Sequence, residues 1–438
     1  MKILIVSEYI APLQAIASVR WTKIAKYIKK AHPEAKITVL TNQMDFSEDG
    51  GQKRDELLAE DLWAFDEYWQ VPKSSQLKTY EAIKRKKAKD VQNIEQELYA
   101  SRKSGILSRV KQELLIAIRD LKERIFYHQA IKYLHDGKAM DFDVVISTYG
   151  PAWTHLVAEK IKKQNPRMIW IADFRDPYAK GTDTPLAFWR HRRFVRAHCA
   201  VADVITRVTD NLYLNEAPTM IVQTVTNGYD PEEALEPFAP NTFSIVFTGM
   251  LYGDLRDIGI ACKAVKELSD GGKIKDARVV YAGTDGRIAK KLAQRYNADD
   301  YLDDMGMLPR SAALRLQQNA AILLQLNWNT AAIQCQWSGK MFEYMMMKKP
   351  IAFLVTGDMP YSYPSQHMKL LGGVCYEQCR HEETYPALKQ YILNKYLEWK
   401  QTGNVTIQRD EEYVHQYSYE NIAEKVWQLI CPKEERSV

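Results

Sequence analysis

The run SGKMFEYMMMKKPI, Ser338 to Ile351, carries residue types that could hold a nucleotide at the spacing of one helical face. Lys340 and Glu343 are three apart, which makes them neighbours on a helix. Gly339 lies beside them, where the first turn of a helix leaves N–H groups free to face a diphosphate next to the lysine. One turn further in, the Glu343 carboxylate can accept both hydroxyls of a ribose. The same spacing also gives an ordinary surface ion pair. The neighbourhood favours the first reading, because Met341, Phe342, Tyr344, Met345, Met346 and Met347 make this helix apolar round most of its circumference. Such a helix is buried, and charges on a buried helix are costly unless they open onto a cleft.

A second group lies at the end of the apolar run IWIAD, where Asp173, Arg175 and Asp176 follow one another closely. In a parallel sheet that end is the ligand side. Three charges at that end could therefore meet a ligand. The alternative is an Asp–Arg–Asp ion network that only holds the loop. In VFTGMLYGDLRD, Gly249 keeps a strand end open to close approach, and Arg256 is the nearest cation.

Other patterns carry less chemistry. Asp141 and Asp143 imitate a metal-binding D-x-D, yet they precede the strand DVVIST and so fall at its wrong end. Asp299, Asp300, Asp303 and Asp304 could hold Ca²⁺, although a solvated acidic loop explains them as well. Cys375 and Cys379 lack the second Cys/His pair that a zinc site needs. His155, after GPAWT, is either a cleft residue or helix packing. No Ser-His-Asp or P-loop pattern is found, and no metal is expected.

These residues need a frame. The first 41 residues read strand (KILIVS), loop, helix from about Val19 to Lys30, strand (KITVLT), with Lys23, Lys26, Lys29 and Lys30 expected towards water. The alternation resumes at DVVIST and RMIWIADF, and a second series starts at SIVFTG and runs through ARVVYAG and AILLQLN to PIAFL. Val- and Ile-rich strands alternating with helices imply parallel sheets covered on both faces. The expectation is an α/β protein of two facing, doubly wound Rossmann-like domains with a central cleft. Residues 1–235 form the first, with a helical insertion at about 45–138, and residues 236–415 form the second. A C-terminal helix in 416–438, with Ser418 as N-cap and Ile422, Val426, Leu429 and Ile430 as its stripe, is expected to pack back on the first domain.

Bulk properties agree with a soluble chain of more than one core: 438 residues, 46% hydrophobic, 26% charged. No apolar run approaches the ~20 residues that span a bilayer. Six scattered cysteines point to a reducing cytoplasm rather than to a disulfide framework. Net charge is only +5, which argues against nucleic acid as a partner. The charge is uneven, however: Thr41–Pro72 holds nine acidic and two basic residues, and Lys73–Lys138 sixteen basic and eight acidic. Within the basic stretch, Leu107, Val110, Leu114, Ile118, Leu121 and Ile125 repeat at helical spacing, and Lys84, Arg85, Lys86 and Lys87 cluster. The stripe is a core face, a dimer face, or a contact with an anionic membrane.

Taken in order, KILIVSEYIAP, IWIADFRDPY, TNGYDP, VFTGMLYGDLRD, ARVVYAGTDG, MGMLPRSAALRLQQNAAILLQL and SGKMFEYMMMKKPI resemble the retaining GT-B glycosyltransferases. The likeness is to the large bacterial polysaccharide-building type, glycosyltransferase family 4-like. It covers most of the chain outside 45–138. The resemblance implies that Glu343 holds the donor ribose, and that a basic residue in the loop after the second domain's first strand meets the pyrophosphate. Many relatives have Arg where this chain has Met250, which leaves Arg256. Many also carry His near the end of the IWIAD strand, where Arg175 stands, and the resemblance implies that Arg175 contacts acceptor or donor phosphate and that Asp173 or Asp176 orients the acceptor hydroxyl. The pattern departs at Cys335, where a glutamate eight residues before Glu343 is common, and at Pro12, Leu13, Gln14 and Ala15, where glycines are usual.

The function implied is transfer of a sugar, with retention and without metal, from a nucleoside-diphosphate-sugar to a glycan acceptor that is lipid-linked. UDP-sugar is favoured over GDP-sugar. The place implied is the cytoplasm, peripheral on the inner face of the plasma membrane through Lys73–Lys138. The alternatives are an idle GT-B subunit supporting a partner glycosyltransferase and a nucleotide-sugar 2-epimerase.

Overall fold

The computed structural model describes residues 1–47, 51–75, 106–138, 140–176, 183–210, 212, 222–233, 236–331 and 334–431. The chain divides into two compact units, Met1–Thr226 with Ile422–Val438, and Asn227–Asn421.

The first unit is built on seven parallel strands: β1 (Lys2–Val6), β2 (Lys36–Asn42), β3 (Glu67–Val71), β4 (Val144–Tyr149), β5 (Ile169–Phe174), β6 (Val204–Arg207) and β7 (Val222–Thr224). Their order is β3-β2-β1-β4-β5-β6-β7. Four residues of β1 and all six of β4 are buried, as expected of strands covered on both faces. The described helices are α1 (Ile16–Ala31), α2 (Glu56–Ala59), α3 (Ile106–His135), α4 (Trp153–Gln164) and α5 (Pro185–Cys199). The chain runs outward from β1 to β3, then returns to β4 on the other side of β1. The loops after β1 and β4 therefore part from each other at a topological switch point.

Two expectations for this unit need correction. The stretch 45–138 is not simply a helical insertion, because EYWQV within it forms β3, the edge strand paired in parallel with β2. As an edge strand with polar residues among its apolar ones, it shows less pattern than the central strands do. Nor do Lys23 and Lys26 lie towards water. They are buried, and both ammonium groups reach Asp61, at 2.6 and 3.4 Å. The acidic stretch after β2 supplies that counter-ion, and a helical pattern read by itself cannot reveal it. The Lys84–Lys87 cluster lies outside the described residues.

The second unit has six parallel strands: β8 (Ser244–Thr248), β9 (Arg278–Ala282), β10 (Leu302–Asp304), β11 (Ile322–Trp328), β12 (Ile351–Thr356) and β13 (Val374–Glu377), ordered β10-β9-β8-β11-β12-β13. Its described helices are α6 (Gly259–Asp270), α7 (Gly286–Gln294), α8 (Arg310–Gln318), α9 (Gly339–Met347), α10 (Tyr363–His367), α11 (His381–Thr402) and α12 (Glu411–His415). The switch point here lies between β8 and β11. The last helix, α13 (Tyr419–Ile430), has the Ser418 hydroxyl accepting the Asn421 N–H at 3.2 Å, the expected N-cap bond. It buries Ile422, Val426 and Ile430.

Candidate functional site

At the C-terminal edge of the second unit's sheet, β8 ends in Gly249 with φ at +138°. A side chain there would be strained, and its Cβ would stand 3.9 Å from Lys340 Cε. Gly283, after β9, is held to glycine by packing: a Cβ would come within 2.3 Å of the Gly249 carbonyl oxygen. Small residues thus bring two loop backbones together beside α9.

Helix α9 begins at this edge. Ser338 has extended N-cap geometry, but its hydroxyl makes no cap bond and instead accepts from Gln325 Nε2 of β11 at 3.1 Å. The hydroxyl that would normally satisfy a first-turn N–H is used elsewhere, so the helix start keeps its donors and its partial positive charge. Met341, Phe342, Tyr344, Met345, Met346 and Met347 are buried, which fixes the helix as the apolar pattern implied. The remaining face carries Lys340 and Glu343, joined at 2.8 Å and each about a quarter exposed.

Arg256 sits over the switch point. Its guanidinium lies 4.7 Å from the ring of Tyr252, in the loop after β8, and 5.5 Å from that of Trp328, at the end of β11. Nη1 donates to the Met250 carbonyl at 2.8 Å, and the buried Nε meets no acceptor among the described residues. Burial pulls its pKa down, with Tyr252 opposing. A half-buried guanidinium stacked on two rings, with donor capacity to spare, is suited to an anion. Gly249, Arg256, Gly339, Lys340 and Glu343 therefore share one sheet edge.

Cys335 is 2% exposed, and its N–H donates to Asn329 Oδ1 at 2.8 Å. Burial pushes its thiol up to about 12, so at neutral pH it offers neither a charge nor a carboxylate. Asn329 also donates to the Met359 carbonyl at 2.8 Å, tying the loop after β11 to the loop after β12. Sequence reasoning missed Asn329, which stands two residues beyond the apolar run AILLQLN.

The first unit treats its candidates differently. On β5, Asp173 is in register with Thr148 of β4 and Thr206 of β6. Equivalent positions on parallel neighbours point to the same face, and both hydroxyls donate to the carboxylate, at 3.0 and 2.7 Å. Arg20 of α1 adds a fork, at 2.9 and 3.2 Å, and Trp21 adds its indole N–H at 2.9 Å. Burial works against the charge, but Arg20 and these donors hold the Asp173 carboxyl below the usual range. With no exposed surface and both oxygens fully engaged, Asp173 is a buried anchor and not a group open to an acceptor. That corrects its expected catalytic role. In place of the expected Asp173–Arg175–Asp176 network, Asp173 pairs with Arg20, which the sequence reading did not single out, while Arg175 donates to backbone carbonyls.

Arg175 is half-buried, with Nη2 donating to the Gly150 carbonyl at 2.9 Å and its guanidinium 5.5 Å from the ring of Tyr9. Asp176 beside it is exposed. Both lie past the end of β5, on the edge where the loops after β1 and β4 part. Two carboxylates missed by sequence reasoning meet there. Trp153, at the start of α4, donates its indole N–H to Glu8 at 2.9 Å and its main-chain N–H to Glu123 of α3 at 3.2 Å. Burial, then the neighbouring Glu8, pushes the Glu123 carboxyl up to about 7. No local motif marks this pair, because its members are 115 positions apart in sequence and meet only in the fold.

His155, Asp141 and Asp143 serve the fold. His155 is buried, with Nδ1 2.7 Å from the Ser147 hydroxyl. Asp141 and Asp143 bind Lys2 at the N-terminal end of the sheet.

No protein-family model matches the chain, and no curated protein matches its sequence. Solved structures do. The lipopolysaccharide outer core galactosyltransferase WaaB, in its apo form, is similar at 13% identity over 98% of this chain and 100% of that one, with a TM-score of 0.51. The N-terminal domain of a Candida albicans trehalose-6-phosphate phosphatase covers 100% of this chain with 97% of its own, at 10% identity and a TM-score of 0.61. An S. aureus TarM mutant in complex with fondaparinux, α-GlcNAc-glycerol and UDP aligns over 98% of this chain and 100% of its own, at 10% identity and a TM-score of 0.55. These likenesses define the fold as GT-B, built from two parallel-sheet Rossmann-like units.

Proposed function

We propose that the protein is a glycosyltransferase that moves a sugar, with retention, from a nucleoside-diphosphate-sugar to a glycan acceptor. The observation that carries this reading is the gathering of Gly249, Arg256, Lys340, Glu343 and an uncapped helix start at one sheet edge. Fold neighbours that include a galactosyltransferase and a UDP complex support it.

In this reading the donor diphosphate lies between the start of α9 and the Arg256 guanidinium, and Glu343 exchanges its bond to Lys340 for the ribose hydroxyls. Lys340 is thereby released towards the phosphates. Charge grows on the diphosphate as the glycosidic bond breaks, so fixed cations and N–H groups favour the transition state over the bound donor. A leaving phosphate oxygen can take the acceptor proton, and no side chain need act as nucleophile. Arg175 and Asp176 handle the acceptor, on the edge that Asp173 anchors. The donor base is uridine before guanosine, the acceptor is lipid-linked, and the protein works in the cytoplasm at the inner face of the plasma membrane.

A melting screen with UDP, GDP, TDP and CMP tests the donor site. A nucleotide at about a hundred times its Kd adds about 2.7 kcal/mol to the unit that binds it. UDP is expected to give the largest shift. If no nucleotide moves the transition, the donor assignment fails; if GDP leads, only the base is wrong.

A further inference from the structure

The outward side of α3 is apolar, which is the wrong way round for a helix on the surface of a soluble unit. Ile116, Phe126, Ala130 and Leu134 of this helix are buried. Advancing 100° per residue, Val110, Leu114, Ile118 and Leu121 fall on the opposite side, and there Val110, Leu114 and Leu121 are 61, 59 and 58% exposed.

Helix α5 extends this face. It packs beside α3 through Arg190, which pairs with Glu113 and, at 3.2 Å, with Asp120, and through His191, whose ring nitrogens face Asp120 and Asp183 at 3.4 and 2.8 Å. Its own outer surface presents Leu186 and Trp189, 57 and 59% exposed.

Charge decides what such a surface fits. The sequence of α5 holds four arginines and no carboxylate. Arg193 and Arg196 are exposed on it, as is Arg124 on α3. Arg193 lies 5.8 Å from the ring of Trp189, and Arg192 lies 5.9 Å from that of Phe188. Among the described residues, the α3 carboxylates that face α5, Glu113 and Asp120, are taken up by Arg190 and His191. What faces outward is therefore aliphatic side chains and a tryptophan bordered by cations. A second copy of the chain would bring the same arginines against these, whereas an anionic surface complements them. Apolar residues with Trp and Arg at the margin suit the interfacial layer of a bilayer, where rings and stems insert and guanidinium groups meet headgroup phosphates.

We propose that the outer faces of α3 and α5 form a docking surface for a bilayer containing anionic phospholipid. This deepens the membrane contact in the reading above and rests on it for its purpose. It also moves the contact from the basic stretch alone to a pair of helices that includes α5. No described helix is long and apolar enough to cross a membrane, so the contact is with one face of the bilayer.

The test is flotation of the full chain with vesicles of phosphatidylcholine alone and of phosphatidylcholine mixed with phosphatidylserine, at low and high salt. Capture is expected only with the anionic mixture and is expected to fall as salt screens the arginines. The double variant Leu114→Glu/Leu121→Glu and the single variant Trp189→Glu change exposed side chains, so both are expected to melt with the wild type. Each is expected to weaken capture about tenfold or more. Arg193→Gln/Arg196→Gln is expected to weaken capture at low salt only. The proposal is overturned if the wild type does not float with anionic vesicles, or if the variants float equally well. It is also overturned if the patch variants instead abolish self-association in sedimentation, which would make the face a contact between copies. Lipid capture is read without turnover, so failure here leaves the transferase reading standing, and absence of nucleotide binding leaves this one standing.

Discussion

Glu123→Gln should stabilise the protein at alkaline pH and barely change it in acid. The carboxyl accepts the Trp153 main-chain N–H at 3.2 Å, in a half-buried position. Gln keeps an oxygen for that bond and nearly the same shape, so what the substitution removes is the charge. An ordinary glutamate titrates near 4.5, and this one is pushed up to about 7. Between those values the folded state holds a proton that the unfolded state has lost, so the stability this group contributes falls as pH rises through the window and is level above it. At 1.36 kcal/mol per pH unit the loss has a ceiling of about 3 kcal/mol. Partial exposure and solvent screening reduce that to roughly 1–2 kcal/mol by pH 8. In a unit of this size the variant should melt a few degrees higher at pH 8, at about 2–4 °C per kcal/mol. Near pH 4.5 the two proteins should melt together. Melting curves by circular dichroism across pH 4.5 to 8 supply the measurement. An advantage that is constant with pH, or larger in acid, would refute the assignment of a raised carboxyl at this position.

Asp173→Asn leaves the buried Arg20 without its counter-ion and should cost about 3–5 kcal/mol of stability, seen as a large fall in melting temperature; a wild-type melt would show that the network anchors nothing. Glu343→Ala should weaken nucleotide-sugar binding about tenfold or more, since each charge-assisted bond to a ribose hydroxyl is worth roughly 1.5–3 kcal/mol. Calorimetry decides that case, and unchanged affinity in a folded variant would remove Glu343 from the site. Arg256→Ala should lower kcat more than it raises the donor Kd, because its partner gains charge in the transition state. Equal kcat with and without the guanidinium would leave it a surface group stacked on two rings.

The sheets were readable because a parallel strand covered on both faces must be apolar almost throughout, and KILIV, VVIST and SIVFT carry that requirement in five residues each. Helix α9 was readable because six of its nine residues are apolar and buried, so Lys340 and Glu343 stand out against them. What could not be read depends on partners far away in the chain. Arg20 meets Asp173 across 153 positions. Lys23 and Lys26 look solvated on a helical wheel until an aspartate from the next segment covers them. β3 failed for a different reason: an edge strand needs only one neighbour and one apolar face, so EYWQV shows less pattern than a central strand does.

The same charges, sorted by how fully they are satisfied, separate architecture from chemistry. Asp173 receives five donors and exposes nothing, so any further contact would have to break bonds already made. Lys340 and Glu343 hold one another on a partly open face, and a ligand offering both an anion and a hydroxyl pair can replace each partner with an equivalent one. Arg256 goes further: two rings and one carbonyl fix its plane, yet its buried Nε has no acceptor among the described residues. A buried donor left unpaired costs about 1–3 kcal/mol, which an arriving phosphate oxygen would recover. A ligand at that edge would draw on interactions the protein has left unmade, whereas the anchor at Asp173 has none left to give. This contrast favours Arg256 and α9 for the proposed donor site and leaves Asp173 as a structural support.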